Sequence, residues 1–138
     1  MDHLSVGTNA HLAIFYYYFP AYNCPTASCV LDAGYVSSIN GGATWSAPTA
    51  LDLGMSLSWL AQAGGFMLGD YTSVSYSGGH AFPIFAAATA GTGPQGLHEN
   101  MYTETGLSVA GGDRPASTAG APLPLGSQPR RPVPLTAY

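Results

Sequence analysis

The 138 residues are 46% hydrophobic but only 7% charged, against roughly 25% in ordinary soluble domains, so the chain can build one small domain with a core. Lysine is absent and the three arginines are Arg114, Arg130 and Arg131, which leaves residues 1–112 with Asp2, Asp32, Asp52, Asp70, Glu99 and Glu104 and no cation. That balance excludes a nucleic-acid partner, which needs clustered Lys and Arg for its phosphates, and no apolar run is long enough for a spanning helix.

The first predicted element is the aromatic run His11 to Phe19, β-prone throughout and stopped by Pro20. Without clean alternation it reads as a strand buried on both faces. Residues 20–28 form a loop holding Cys24, and Cys29 opens a second strand that runs to Ser38. Cys24 and Cys29 enclose Pro25-Thr26-Ala27-Ser28. The readings of this pair are, in order, a disulfide between strand ends, two free thiols, and a metal site. Metal comes last because His11, His80 and His98 have no ligand spacing relative to the cysteines. A disulfide implies an exported protein. Met1-Asp2-His3-Leu4 lacks the regions of a signal peptide, so the expectation is a secreted parent with its leader upstream.

After the second strand comes Ser38-Ile39-Asn40-Gly41-Gly42-Ala43-Thr44-Trp45. Asn40 can bond its own backbone two residues on, and Gly41 and Gly42 supply positive φ. Ser38 and Thr44 are placed to tie the strand ends, with Trp45 as an apolar plate beneath. Thr44 to Pro48 begins a short third strand. Residues 49–65 read as a connector anchored by Trp59, and Phe66 to Tyr76 as a strand. Ser77-Gly78-Gly79-His80 signals a hairpin into a strand over Ala81 to Thr89, where Pro83 implies a bulge or an unpaired position. A short strand is expected at Glu99 to Thr103. From Gly111 the composition shifts: six of 11 prolines fall in residues 111–138, which reads as a disordered tail. The fold class is all-β, built of antiparallel meanders.

The turn Ser-x-Asn-Gly-Gly-x-Thr-Trp resembles the Asp-box of sialidase-type β-propellers, Ser-x-Asp-x-Gly-x-Thr-Trp, with Asn40 in place of the usual Asp. The wider pattern over residues 10–105, including Gly69-Asp70-Tyr71 and Ser77-Gly78-Gly79-His80, is similar to bacterial secreted sialidase-like (BNR/Asp-box repeat) proteins. The resemblance implies Ser38, Asn40, Gly42, Thr44 and Trp45 as a structural turn at the blade periphery, and Asp70 and Tyr71 as candidates to line the funnel. At about 40–50 residues per blade and 4–8 blades per ring, residues 1–110 hold about two blades. The first is expected to lack its innermost strand and the second its outermost.

Sialidases of this family clamp the substrate carboxylate with three arginines, attack with a tyrosine activated by a glutamate, and use an aspartate as acid/base. A guanidinium fork suits that carboxylate, yet residues 1–112 contain none. Adjacent in a strand, Asp70 and Tyr71 would point to opposite faces; the plainer reading of Asp70 is an acceptor satisfying a turn. Glu99 and Glu104 read as solvated loop charges. No Gly-x-Ser-x-Gly elbow and no phosphate-cradling loop before a helix is present. Two function classes follow. One is a non-catalytic, structural or glycan-binding segment of a secreted propeller. The other is part of an active exo-α-sialidase or related glycoside hydrolase whose arginines lie upstream. Neither calls for a cofactor or a metal, and sialosides would be met through the parent propeller.

Overall fold

The computed structural model describes residues 2–69, 71–91, 98–112 and 114–115. These form antiparallel sheets with two short 3-10 turns, at Thr8–Ala10 and Leu57–Trp59, as the helical content. The expected all-β class therefore holds.

The first sheet has four strands, in the order β1 (Asp2–Val6), β2 (Leu12–Tyr18), β3 (Val30–Ser38) and β5 (Thr49–Ser56). Two expectations are corrected here. No strand is expected over residues 2–6, yet they pair with β2 from Asp2↔Tyr16 to Val6↔Leu12. The stretch read as connector contains β5, which pairs along β3 from Val30↔Ser56 to Tyr35↔Thr49. A mid-strand glycine, normally a sign of weak strand, hid it. Gly54 sits at φ 77°, and the ladder shifts register twice nearby. The buried Asp32 of β3 stabilises this bulge by accepting the Gly54 amide at 2.7 Å.

β4 (Thr44–Trp45) does not extend the first sheet; it pairs with β12 (Arg114–Pro115), Trp45 opposite Arg114 and Thr44 opposite Pro115. The chain thus stays attached to the body beyond Gly111, where the composition shift begins. Residues 116–138 lie outside the described residues. A small hairpin joins β6 (Ala61–Gln62) to β7 (Phe66–Met67). The strand expected from Phe66 through Tyr76 is interrupted after Met67, because Gly69 takes a left-handed φ of 51° and a Cβ there would come within 3.0 Å of Ala86 Cβ. Pairing resumes at β8 (Ser73–Ser77).

The second sheet centres on β9 (His80–Ala88). β8 flanks it on one side; β10 (Glu99–Thr103) and β11 (Leu107–Ser108) share the other. The Gly78-Gly79 turn, with φ of 57° and 82°, closes the β8–β9 hairpin. On the far side, pairing breaks between Ile84↔Thr103 and Ala81↔Leu107, leaving Phe82 and Pro83 without a partner there. This gap accommodates a proline, which has no amide hydrogen to place in a ladder.

The inner faces of the two sheets meet in one core. Alternation along β2 sends Ala13, Phe15 and Tyr17 inward, and along β9 it sends Ala81, Pro83, Phe85 and Ala87 to meet them. Phe15 stacks on Phe85 at 5.0 Å and packs edge-on against Tyr17 at 4.9 Å. Polar links cross the same interface: Tyr17 to the Ala86 carbonyl at 2.6 Å, the Ala88 amide to Met55 Sδ at 3.3 Å, and His11 Nδ1 with Tyr76 Oη at 3.0 Å.

Candidate functional site

The turn after β3 is held by its own side chains. Ser38 is fully buried, and its hydroxyl accepts the Gly42 amide at 3.0 Å and the Asn40 amide at 3.3 Å while donating to Asn40 Oδ1 at 2.9 Å. Asn40 Oδ1 also accepts the Thr44 amide at 2.9 Å, and its Nδ2 donates to Thr44 Oγ1 at 2.9 Å. Asn40 therefore uses both ends of its amide, which a carboxylate would replace by acceptors alone. Gly41 and Gly42 take φ of 68° and 88°, values that carry a steric cost for any residue with a Cβ.

Trp45 is half-buried, with its ring against Gly42: a Cβ on that glycine would lie 3.3 Å from both Trp45 Cζ2 and Leu12 Cδ1. Three neighbours anchor the turn to the body. The Gly41 amide donates to the Ala10 carbonyl at 2.9 Å, the Ser46 amide to the Ser37 carbonyl at 2.8 Å, and Ser46 Oγ accepts the Ser37 amide at 3.0 Å. Ser37, also buried, exchanges hydrogen bonds with the backbone of Ala110, each 3.0 Å. Ser46 and Ser37 escaped the sequence reading; a small hydroxyl residue at a strand end is too common to signal such a clamp.

Cys24 and Cys29 are joined as a disulfide, with Cα atoms 5.2 Å apart, across the mouth of the 20–28 loop. Cys29 is buried in the core and Cys24 packs at its margin. Asp70 lies outside the described residues. Tyr71 is 85% exposed, so its ring presents to solvent. Thr72 beside it is buried, and its hydroxyl has no hydrogen-bond partner among the described residues. Glu99, read as a solvated charge, instead accepts the Ala61 amide at 2.7 Å and ties β10 to the β6–β7 hairpin. Its cue was absent from the sequence because the partner is a backbone group 38 residues away.

Among the described residues no group of three or more His, Cys, Asp or Glu side chains could hold a metal ion. The shifted titrations are structural. Burial pushes the Tyr17 phenol well above its usual range, with the hydrogen bond to Ala86 pulling the other way and the charges of Asp52 and Glu99 adding to the rise. Burial likewise raises Tyr35. Both phenols stay neutral and act as donors and packing groups, without the activation a nucleophile needs. Among the described residues no helix is long and apolar enough to cross a membrane. Comparison with protein-family models, with curated proteins and with solved structures finds no match to the chain.

Proposed function

We propose that this chain is a segment of a secreted, sialidase-like Asp-box β-propeller, structural or glycan-binding in role and without catalysis of its own. The supporting observation is the side-chain network of Ser38, Asn40, Gly42 and Thr44, set between the third and fourth strands of a four-stranded antiparallel sheet. Four-stranded antiparallel sheets are the repeating unit of propellers. A generic hairpin turn needs the Asn-Gly pair and not the flanking Ser and Thr. The Cys24–Cys29 disulfide is compatible with an extracellular protein.

The absence of catalysis follows from charge. A sialoside carboxylate is best anchored by paired hydrogen bonds from cations, and residues 1–112 contain no Lys or Arg. The test is an assay of the purified chain with a fluorogenic sialoside, beside a variant truncated after Gly112. No turnover is expected from either. Turnover that survives truncation overturns the reading, and turnover lost with the truncation assigns a role to Arg114, Arg130 or Arg131.

A further inference from the structure

Asn40-Gly41 is the single Asn-Gly pair of the sequence; Asn9, Asn23 and Asn100 precede Ala, Cys and Met. An asparagine followed by glycine is open to ring closure, because no Cβ flanks the attacking nitrogen and glycine reaches backbone angles denied to other residues. In that reaction the Gly41 backbone nitrogen loses its proton and attacks Asn40 Cγ. A C–N bond forms, the Cγ–Nδ2 bond breaks, and Nδ2 takes up a proton and leaves as ammonia. Water then opens the cyclic imide. Opening at Cγ gives aspartate, and opening at the main-chain carbonyl gives isoaspartate, whose chain runs on through Cγ. The balance is asparagine plus water to aspartate or isoaspartate plus ammonia, with nothing oxidised or reduced.

Asn40 is exposed, so water reaches it. Two donors, the Ser38 hydroxyl and the Thr44 amide, lie 2.9 Å from Asn40 Oδ1 and by themselves would favour attack at Cγ, as an oxyanion hole does. Geometry decides the other way. In the imide, Cγ takes the position that the Gly41 amide hydrogen held. Here that hydrogen is directed at the Ala10 carbonyl, 2.9 Å from the nitrogen, so the Ala10 oxygen occupies the line of approach. Asn40 Nδ2, the leaving group, is itself held by Thr44 Oγ1 at 2.9 Å. Closure of the ring therefore requires the Gly41–Ala10 bond to open and the Asn40 side chain to leave Thr44.

We infer that Asn40 is a conditional modification site, unreactive while the turn is closed and converted to aspartate and isoaspartate by water when residues 38–44 open. The two products differ in consequence. Aspartate keeps the acceptor for the Thr44 amide and the Ser38 hydroxyl, so the turn recloses. Isoaspartate adds a backbone atom before Gly41 and changes the spacing from Ser38 to Thr44, so these bonds are not restored. The turn thus records its own opening in covalent form. This inference is independent of the propeller reading.

The test is peptide mapping by mass spectrometry of the intact chain held at mildly alkaline pH, folded in buffer and unfolded in guanidinium chloride. Conversion at Asn40 should be at least about tenfold slower in the folded chain, because only the opened fraction reacts. Asn9, Asn23 and Asn100 should lag behind Asn40 in denaturant. Thr44→Val removes the acceptor for Nδ2 and keeps the backbone amide; it should speed conversion in buffer and leave the rate in denaturant unchanged. Equal wild-type rates in buffer and denaturant overturn the proposal. A faster rate in buffer also overturns it, in favour of Ser38 and Thr44 promoting the reaction. If Thr44→Val unfolds the chain, as thermal unfolding would show, Ser38→Ala takes its place, and a folded variant that reacts no faster than wild type overturns the role of the side-chain bonds.

Discussion

Tyr17 on β2 donates its phenolic hydrogen to the carbonyl of Ala86 on β9 at 2.6 Å, across 69 positions of sequence. The bond joins the two sheets inside their shared core, beside the Phe15–Phe85 stack. It satisfies two polar groups where water is excluded, which is what permits a phenol there.

That burial sets the alkaline limit of the fold. The neutral phenol is the folded form, because burial raises the Tyr17 pKa and, to a smaller degree, that of Tyr35. Above the unfolded value of about 10, the unfolded chain holds fewer protons than the folded one, so stability falls with rising pH. Below that value the contribution is fully present. Urea melts across pH 7–11 should show a plateau and then a decline. Tyr17→Phe should flatten the decline while costing about 0.5–1.5 kcal/mol at neutral pH for the lost hydrogen bond. An identical alkaline decline in that variant would remove Tyr17 from the account.

Asn40 should accept one substitution and reject another. Asn40→Asp keeps the acceptor for the Thr44 amide and the Ser38 hydroxyl, and the Thr44 hydroxyl can rotate to donate to the second oxygen. Its stability should stay within about 0.5 kcal/mol of the parent. Asn40→Leu removes every one of these bonds and should cost about 1–3 kcal/mol. Equal effects of the two, measured by chemical denaturation, would show that the turn is held by its glycines alone.

Asp32 is the clamp on the β5 bulge. Asp32→Ala leaves the Gly54 amide without its acceptor in a part-buried position and should cost about 1–3 kcal/mol. Asp32→Asn retains an oxygen and should recover much of that loss. Amide exchange should localise the damage, with faster exchange along Thr49–Ser56 and little change in β9. Uniform loss of protection would mean that Asp32 supports the whole core and not one edge.

The disulfide should contribute modestly, because it closes a short loop. Cys24→Ser combined with Cys29→Ala, which keeps the buried position apolar, is expected to lower stability by roughly 2 kcal/mol in the chain-entropy picture. The β2–β3 ladder, from Leu12↔Ser38 to Tyr18↔Asp32, should survive. Two alkylatable thiols in the oxidised wild-type protein, found by mass spectrometry, would contradict the bridge itself.

Local chemistry was readable without coordinates. The Asn-Gly-Gly and Ser-Gly-Gly turns, the aromatic β2, the second strand to Ser38, the β9 strand and the all-β class depend on neighbours within a few residues: positive φ at glycine, β-branched and aromatic preference, a proline that breaks a ladder. So did the bonding of Ser38, Asn40 and Thr44, whose partners lie within four positions. What only the tertiary structure decided were the pairings that close long loops. β1 has a short, unremarkable sequence and exists because β2 offers an edge. β5 tolerates Gly54 because Asp32, 22 residues earlier, accepts its amide. Glu99 is a structural acceptor because folding brings the Ala61 amide to it, and the neighbours of the outward Phe82 and Ile84 are set by the registers of three strands. A side chain's distant partner is chosen by the packing of whole sheets, and a linear pattern carries the side chain without that partner.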